Sequence, residues 1–303
     1  MKEHLAELGR PTPEKSWTSA EAADYCERLA RGHYENFTVA SSLLPRALRP
    51  HFFAVYSFCR WADDLGDELG DREKSLQALA WWRSELDLCY AGTPRHPVFV
   101  ALRSTVQQFE IPRKPFDDLI DAFVQDQTVN RYQTYDQLVD YCTRSANPVG
   151  HLVLYLSGYR DEERQRLSDY TCTALQLTNF WQDVTRDLDK DRVYLPREDM
   201  ERFGCTYDAL FARQIEPGFT ELIRFEVERT RDLFSQGLPL IDTLAGSVRL
   251  DVELFSRGGM AILDKIQRAR FDVLSARPAL SRTEKIFLST RWFFRRSLGG
   301  GRR

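Results

Sequence analysis

The chain has 303 residues, 43% hydrophobic and 29% charged, which supplies a sizeable core and excludes a disordered chain. Forty-two basic and 45 acidic side chains leave a net charge of -3, an even balance that argues against a nucleic-acid binder. No apolar run approaches the roughly 18 residues of a membrane span. The six cysteines form no C-x-x-C pair, and the N-terminus MKEHLAELGRPTPEKSW is polar and broken by prolines. They read as reduced, mostly buried thiols of a cytoplasmic protein.

Helical periodicity dominates, with no alternating strand and no Asn-Gly hairpin. Thr18 followed by Glu21 spells a capping box that opens a helix stopping at Gly32. A second helix is expected from about Arg46 to Glu68, with Pro50 in its first turns as a kink or restart. Asp71 caps the next, which runs through Trp81 and Trp82 to about Tyr90. Helices then run from about Pro97 to Phe109 and onward from Pro115. Two long segments follow, from about Tyr135 to Ser157 and from Asp161 to Leu188. After a loop with Tyr194, Leu195 and Pro196, shorter helices lead to a long one from about Val252 to Leu274. A last helix spans Ser281 to about Ser297. No long linker and no repeat of 20–50 residues interrupts the pattern. The expectation is one all-α domain over residues 18–297, with flexible termini at 1–17 and 298–303. The tail RWFFRRSLGGGRR is basic and aromatic; it reads as a solvated terminus or as a contact for anionic lipid.

Two acidic clusters carry the chemical signal. Asp63, Asp64 and Asp67 end the run HFFAVYSFCRWADDLGDE, and the i, i+4 spacing puts Asp63 and Asp67 on one helix face. The preceding turns hold Phe52, Phe53, Val55, Tyr56, Phe58 and Trp61. Acids at the end of so apolar a helix are costly to desolvate unless a cation neutralises them. The second cluster, in LQLTNFWQDVTRDLDKDRVYLP, sets Asp183 and Asp187 at i, i+4, with Asn179 one turn earlier and Gln176 before it. This is a stripe of oxygen donors, the kind that Mg²⁺ takes together with substrate phosphates. No His/Cys grouping has zinc spacing. Two such faces could clamp a diphosphate through several Mg²⁺ ions, which would stabilise charge on the departing group. Asp117, Asp118 and Asp121 spell the same D-D-x-x-D, but they follow Pro115 at a helix start, where acids favour the macrodipole. That cluster is read as structural.

The segments HYENFTVASSLLP, VYSFCRWADDLGDE, YCTRSANPVG and LQLTNFWQDVTRDLDKDRVYLP resemble the squalene/phytoene synthase family, from about Tyr25 to Lys285. The resemblance is closest to the hydroxysqualene synthase branch of bacterial hopanoid biosynthesis. It implies an all-α, single-domain isoprenoid synthase fold with a central helix-lined cavity, and Mg²⁺-dependent chemistry on a prenyl diphosphate. It implies metal ligands at Asp63, Asp64, Asp67, Asn179, Asp183 and Asp187, with Gln176 beside the substrate. Arg60 matches a diphosphate-contacting arginine, and its spacing also suits a salt bridge to Asp63. Tyr141 matches a tyrosine near the reacting centre, or is a core tyrosine. Arg277 and Lys285 match basic residues at the rim, with a one-residue shift.

Departures from the family pattern bear on the reaction. Tyr34-Glu35-Asn36-Phe37 replaces the usual Ser-x-Ser-Phe, Gln182 an arginine, Asn147-Pro148 a small Gly-x step, and Gly259 a tyrosine. These resemble the branch that takes preformed presqualene diphosphate, rearranges the cyclopropylcarbinyl cation and captures it with water as hydroxysqualene. Tyr34 and Asn36 are the first candidates to hold that water, with His33, Glu35 and the more distant His151 behind them. The implied neighbours are enzymes that make presqualene diphosphate and reduce hydroxysqualene, with peripheral contact at the inner face of the membrane. Two alternatives stay open. One is head-to-head condensation of farnesyl or geranylgeranyl diphosphate to presqualene diphosphate, squalene, dehydrosqualene or phytoene. The other is a non-catalytic helical partner protein, which predicts erosion of acids that are in fact all present.

Overall fold

Thr18 and Glu21 form the reciprocal pair that their spacing predicts. The Thr18 N–H donates to Glu21 Oε2 at 2.9 Å and the Glu21 N–H to Thr18 Oγ1 at 3.3 Å, opening α1 (Ser19–Gly32). The structure, a computed structural model, describes residues 16–32 and 45–281. Among the described residues it is all-α, with extended pairing limited to an isolated bridge between Arg131 and Val193. None of the described helices is long and apolar enough to cross a membrane.

Local chemistry explains where the helices start and stop. Pro50 sits in the first turn of α2 (Arg49–Asp67), where a missing N–H costs no hydrogen bond, so the helix starts there and does not kink. Asp71 caps α3 (Arg72–Ala91) by accepting from the Lys74 N–H at 2.9 Å. Prolines likewise open α4 (Pro97–Gln108) and α5 (Lys114–Gln125). The single helix expected from Tyr135 to Ser157 is instead two, α6 (Tyr135–Ser145) and α7 (Asn147–Leu156). Pro148 has no N–H to carry the ladder across the junction at Ala146. The next helix, α8 (Glu162–Asp189), leaves helical geometry only at Asp183 (φ -104°, ψ 15°).

Beyond it lie α9 (Arg197–Arg202), α10 (Tyr207–Phe211), α11 (Pro217–Gly237), α12 (Leu240–Thr243) and α13 (Gly246–Arg268). The expectation of short helices before α13 fails at α11, which is 21 residues long. Its buried stripe, Phe219, Leu222, Ile223, Val227 and Phe234, is interrupted by Glu226 and Thr230, so the apolar period is blurred. The long helix α13 begins at Gly246, not Val252, and ends at Arg268, not Leu274. The helix expected from Ser281 lies beyond the described residues.

The chain divides into two compact units, Met1–Val129 with Pro148–Asp161, and Asn130–Asn147 with Glu162–Arg303. In the first, α2 is buried nearly all round and packs against α1, α3, α4 and α5. Trp61 and Phe58 both stack on Trp82, and Phe58 meets Phe99 and Phe116 edge-on. Each such ring contributes about 1.5–3 kcal/mol by burial. His96 caps α4, its Nδ1 accepting from the Val98 N–H at 3.3 Å, and its ring stands edge-on to Trp61 and Trp82. Burial pushes this imidazole down to about 3, so it is neutral at ordinary pH.

In the second unit α8 and α11 lie side by side. At Gly237 a Cβ would stand 2.3 Å from Thr171 Oγ1 and 2.9 Å from the Thr171 backbone nitrogen, so the close approach requires glycine. Trp181 Nε1 donates to Thr230 Oγ1 at 2.9 Å, tying the same pair of helices together. Arg229 joins α11 to α9: its Nη2 lies 2.7 Å from Asp199 Oδ2 and 3.5 Å from Glu226 Oε1, and its guanidinium covers the Tyr135 ring at 3.8 Å.

Glu226 is 0% exposed. Burial, opposed by Arg229 and reinforced by Asp199, pushes its carboxyl from 4.5 up to about 8. Between those values the folded chain keeps a proton that the unfolded chain has released. The stability contributed here is full below the unfolded value and is lost as pH rises toward 8. Glu226→Gln, which mimics the protonated acid, should match the native chain near pH 5 and melt about 2–4 °C higher near pH 8. Calorimetric scans at the two pH values test this; equal Tm differences at both would remove the assignment.

Candidate active site

The first acidic face is the C-terminal end of α2. Asp63 is half-buried and Asp67 exposed, one turn apart. Asp64 points elsewhere: it is 3% exposed and takes the Arg60 Nη2, while Arg60 Nη1 lies 3.3 Å from Asp63 Oδ2. Burial pushes the Asp64 carboxyl up to about 6 despite the neighbouring guanidinium. Asp63 and Asp67 are thus the more accessible carboxylates of this face, and Arg60 touches both Asp63 and Asp64. The salt bridge that the sequence offered for Arg60 exists, with Asp64 added to it.

The second acidic face lies along α8. Gln176 is half-buried, Asn179 exposed, and Asp183 and Asp187 half-buried, while Leu177, Thr178, Phe180, Trp181, Gln182 and Val184 are buried. The oxygen stripe expected from the spacing is thus the accessible side of the helix. Burial and then the Asp183 charge push Asp187 up to about 7, against Arg192, Lys190 and Arg186. Asp183 is gripped by Arg277, which donates through Nε to Oδ1 and through Nη2 to Oδ2 at 3.0 Å. This places Arg277, expected at a rim, directly on the second face.

Tyr141 is 4% exposed and belongs to an aromatic group that its position in the chain does not reveal. Phe180 and Tyr194 stack with ring centroids 3.7 Å apart, and Tyr141 lies 6.3 Å and 6.2 Å from them. Tyr132 stacks on Tyr194 at 5.9 Å. Backbone pairing builds this arrangement. The Val193 N–H donates to Asn130 O and the Arg197 N–H to Tyr132 O, both at 2.9 Å, so residues 130–133 and 193–198 run together. Asn130 Nδ2 and Arg131 Nη2 hold the Asp191 carboxylate at 2.9 and 2.6 Å. Tyr132 and Tyr194 both lie on connections, where helical periodicity carries no signal. Tyr34, Asn36 and Lys285 lie outside the described residues.

The third acidic cluster behaves as expected. Asp117 pairs with Arg83 at 3.0 Å and Arg113 at 2.8 Å, Asp121 with Arg83, and Asp118 with Lys114 at 2.7 Å. All three carboxylates are engaged by cations of the same unit.

Among the described residues no three His, Cys, Asp or Glu side chains converge as a ready metal cage. The donors nevertheless fit Mg²⁺. Each face offers two carboxylates one turn apart, and Mg²⁺ uses one or two carboxylates and completes its shell with water and phosphate. Asp187, raised by burial and then by the Asp183 charge, forms with it a half-buried like-charge pair that a divalent cation would relieve.

Residues 30–284 match the squalene/phytoene synthase family profile. The chain belongs to the squalene/phytoene synthase family. It is an enzyme of the class that acts on prenyl diphosphates in isoprenoid biosynthesis. A phytoene synthase from Arthrospira platensis is 31% identical over 277 residues, covering 86% of this chain and 88% of that protein. A 15-cis-phytoene synthase from Synechococcus elongatus is 29% identical, covering 85% and 88%. The crystal structure of the squalene synthase HpnC from Alicyclobacillus acidocaldarius superposes with a TM-score of 0.81 at 44% identity, covering 84% of this chain and 96% of that one. A dehydrosqualene synthase crystallised with a ligand superposes at 0.82 with 25% identity, covering 91% and 96%. The fold is the all-α isoprenoid synthase fold of these squalene/phytoene synthases.

Within this family the departures noted in the sequence have local explanations. Asn147 is buried and its Oδ1 accepts from Thr173 Oγ1 at 3.0 Å. Gln182 is buried and donates to the Pro278 carbonyl. Gly259 leaves room for Phe234: a Cβ there would stand 2.5 Å from Phe234 Cζ and 2.9 Å from Leu175 Cδ2. The ring of α11 fills the space that the expected tyrosine of α13 would need. Gly259→Ala should therefore destabilise the chain by about 1–3 kcal/mol through overpacking, and Phe234→Leu in the same chain should restore part of the loss. Urea unfolding of the single and double variants decides; additive effects would show that the two side chains do not compete.

Proposed function

We propose that this squalene/phytoene synthase converts presqualene diphosphate and water to hydroxysqualene and diphosphate, with Mg²⁺. The observation that carries this reading is the 44% identity with the squalene synthase HpnC, against 25% with the dehydrosqualene synthase and 31% with the phytoene synthase. The replacements at Tyr34, Asn36, Gln182 and Gly259 support it, since they alter the pattern that goes with condensing two prenyl diphosphates.

In this reading Asp63, Asp67, Asn179, Asp183 and Asp187 hold Mg²⁺, which would neutralise the charge growing on the departing diphosphate. Asp64 keeps Arg60 aimed, and Arg60, Gln176, Arg277 and Lys285 bind diphosphate oxygens. The carbon–oxygen bond breaks with its electron pair leaving on diphosphate. The ring faces around Tyr141, Phe180 and Tyr194 favour the resulting cation electrostatically. The cyclopropylcarbinyl cation opens, water adds through its oxygen, and the surplus proton goes to solvent. Tyr34 and Asn36 hold that one water, because other water in the site would quench the cation too early. The substrate joins a long hydrocarbon to a charged diphosphate head and the product is almost all hydrocarbon, so both partition into lipid, and the reading places the enzyme in the cytoplasm against the inner face of the membrane. The basic tail is its contact with anionic lipid. Enzymes that make presqualene diphosphate and reduce hydroxysqualene stand before and after it.

A second reading, head-to-head condensation of two prenyl diphosphates, is favoured by the phytoene synthase relatives. Purified protein with Mg²⁺ and no NADPH, given presqualene diphosphate or farnesyl diphosphate separately, distinguishes the two by mass spectrometry. The expected result is an alcohol from presqualene diphosphate and untouched farnesyl diphosphate. Consumption of farnesyl diphosphate to a condensed product overturns the proposal in favour of the second reading. In the productive assay Asp63→Asn and Asp183→Asn should each lower turnover by about a hundredfold or more, while Asp117→Asn keeps it. Folded Asp63→Asn and Asp183→Asn enzymes with normal turnover would remove both acidic faces from the mechanism.

A further inference from the structure

Arg277 reaches Asp183 across 94 residues of sequence. Its fork engages both carboxylate oxygens, and Arg186 Nε lies 3.6 Å from Oδ1. The guanidinium comes from the segment after α13, and that segment is held by two further bonds. The Gln182 side-chain amide donates to the Pro278 carbonyl, and Lys265 Nζ donates to the Ala279 carbonyl at 2.6 Å. Gln182 and Asp183 are adjacent on α8, as Pro278 and Arg277 are on the segment, so the two contacts form one clasp. Asp183 is also the residue at which α8 departs from helical geometry.

A bidentate arginine uses the same two oxygens that a hard cation needs. Asp183 cannot serve both fully at once. Without any cation the face would leave Asp183 beside Asp187, two partly buried like charges, which is costly. A guanidinium released from a carboxylate needs another planar array of anionic oxygens, and a diphosphate supplies one.

We propose that Arg277 is a placeholder for the metal at the second acidic face: it occupies Asp183 until a diphosphate arrives to accept its guanidinium in exchange. This rests on the assignment of Asp183 to Mg²⁺ made above. Metal and diphosphate then depend on each other, and the dependence is reciprocal. The face stays assembled without substrate, yet holds metal firmly only when there is a leaving group for the metal to serve. Gln182 is a positioning residue for Arg277, because it fixes the carbonyl of the next residue.

Binding of Mn²⁺, an oxygen-seeking stand-in for Mg²⁺, to the full chain tests this by electron paramagnetic resonance of the free ion. It is measured with and without inorganic diphosphate, after subtracting the Mn²⁺–diphosphate complex formed in solution. Arg277→Gln should bind Mn²⁺ alone about fivefold or more tightly than the native chain, and diphosphate should enhance its binding less. Gln182→Met, which loosens the clasp and leaves both charges in place, should shift Mn²⁺ affinity in the same direction by a smaller factor. If Arg277→Gln binds Mn²⁺ no more tightly while Asp183→Asn weakens binding, the placeholder is wrong and the metal face stands. If Asp183→Asn leaves Mn²⁺ binding unchanged in the Arg277→Gln background, the metal assignment itself is wrong, and the placeholder falls with it.

Discussion

A carboxylate fixed to a helix whose other sides are buried must find positive charge, and it must find it within reach of that helix. Burial removes water from the acid, and in the low dielectric beside the core an uncompensated charge is expensive. Both units of this protein are arranged around that demand. On α2 the buried Asp64 takes Arg60 from one turn away. On α8 the partner for Asp183 comes from beyond α13. On α11 the buried Glu226 shares Arg229 with Asp199. Asp63, Asp67, Asp187 and the amide of Asn179 are the oxygen donors that stay at least partly accessible on α2 and α8.

The aromatic side chains answer a different requirement. In the first unit Phe58, Trp61, Trp82 and Phe99 close on one another and on a neutral His96, a dry support for α2 that holds its last turn rigidly. In the second unit Tyr132, Tyr141, Phe180 and Tyr194 form a layered group. It comes from two helices and two connections, and the latter are fixed by backbone pairing between residues 130–133 and 193–198. Ring faces set by backbone hydrogen bonds keep their geometry better than rings on a free loop.

Features that act over one or two turns were legible in the sequence. Thr18 with Glu21, Asp71 before α3, and the prolines opening α4 and α5 all concern neighbours in the chain, and those helix starts followed from them; α2 begins at Arg49, beside Pro50, and not at about Arg46. The oxygen stripe from Gln176 to Asp187 was legible too, since i, i+4 spacing is enough to fix a face; the ion pairs of Asp117 and Asp121 with Arg83 span 34 and 38 residues and were not legible. Pro148 breaks the Tyr135–Ser157 segment, but the apolar period that continues on either side of it hides the break in the sequence. The length of α11 was hidden because Glu226 and Thr230 occupy its core stripe, and their partners Asp199, Arg229 and Trp181 lie on other turns or other helices. The Arg277–Asp183 fork and the Tyr132–Tyr194 stack join residues far apart in sequence, and no local pattern encodes such pairs.

The departures from the family pattern are also best understood as packing facts before they are read as chemical ones. Gly259 is permitted because Phe234 fills the place from α11, so the packing is kept without the side chain that a tyrosine would have brought. Gln182 is neutral and its amide is spent on the Pro278 carbonyl, while Arg186 of α8 stands 3.6 Å from Asp183 Oδ1. The bidentate partner of Asp183 is Arg277, on a segment that Gln182 itself holds in place. The fork on Asp183 therefore comes from a separate piece of chain and not from the helix that carries the acids. A cation on its own tether can leave its carboxylate without unwinding the helix, and this freedom is what an exchange between a guanidinium and a metal ion requires.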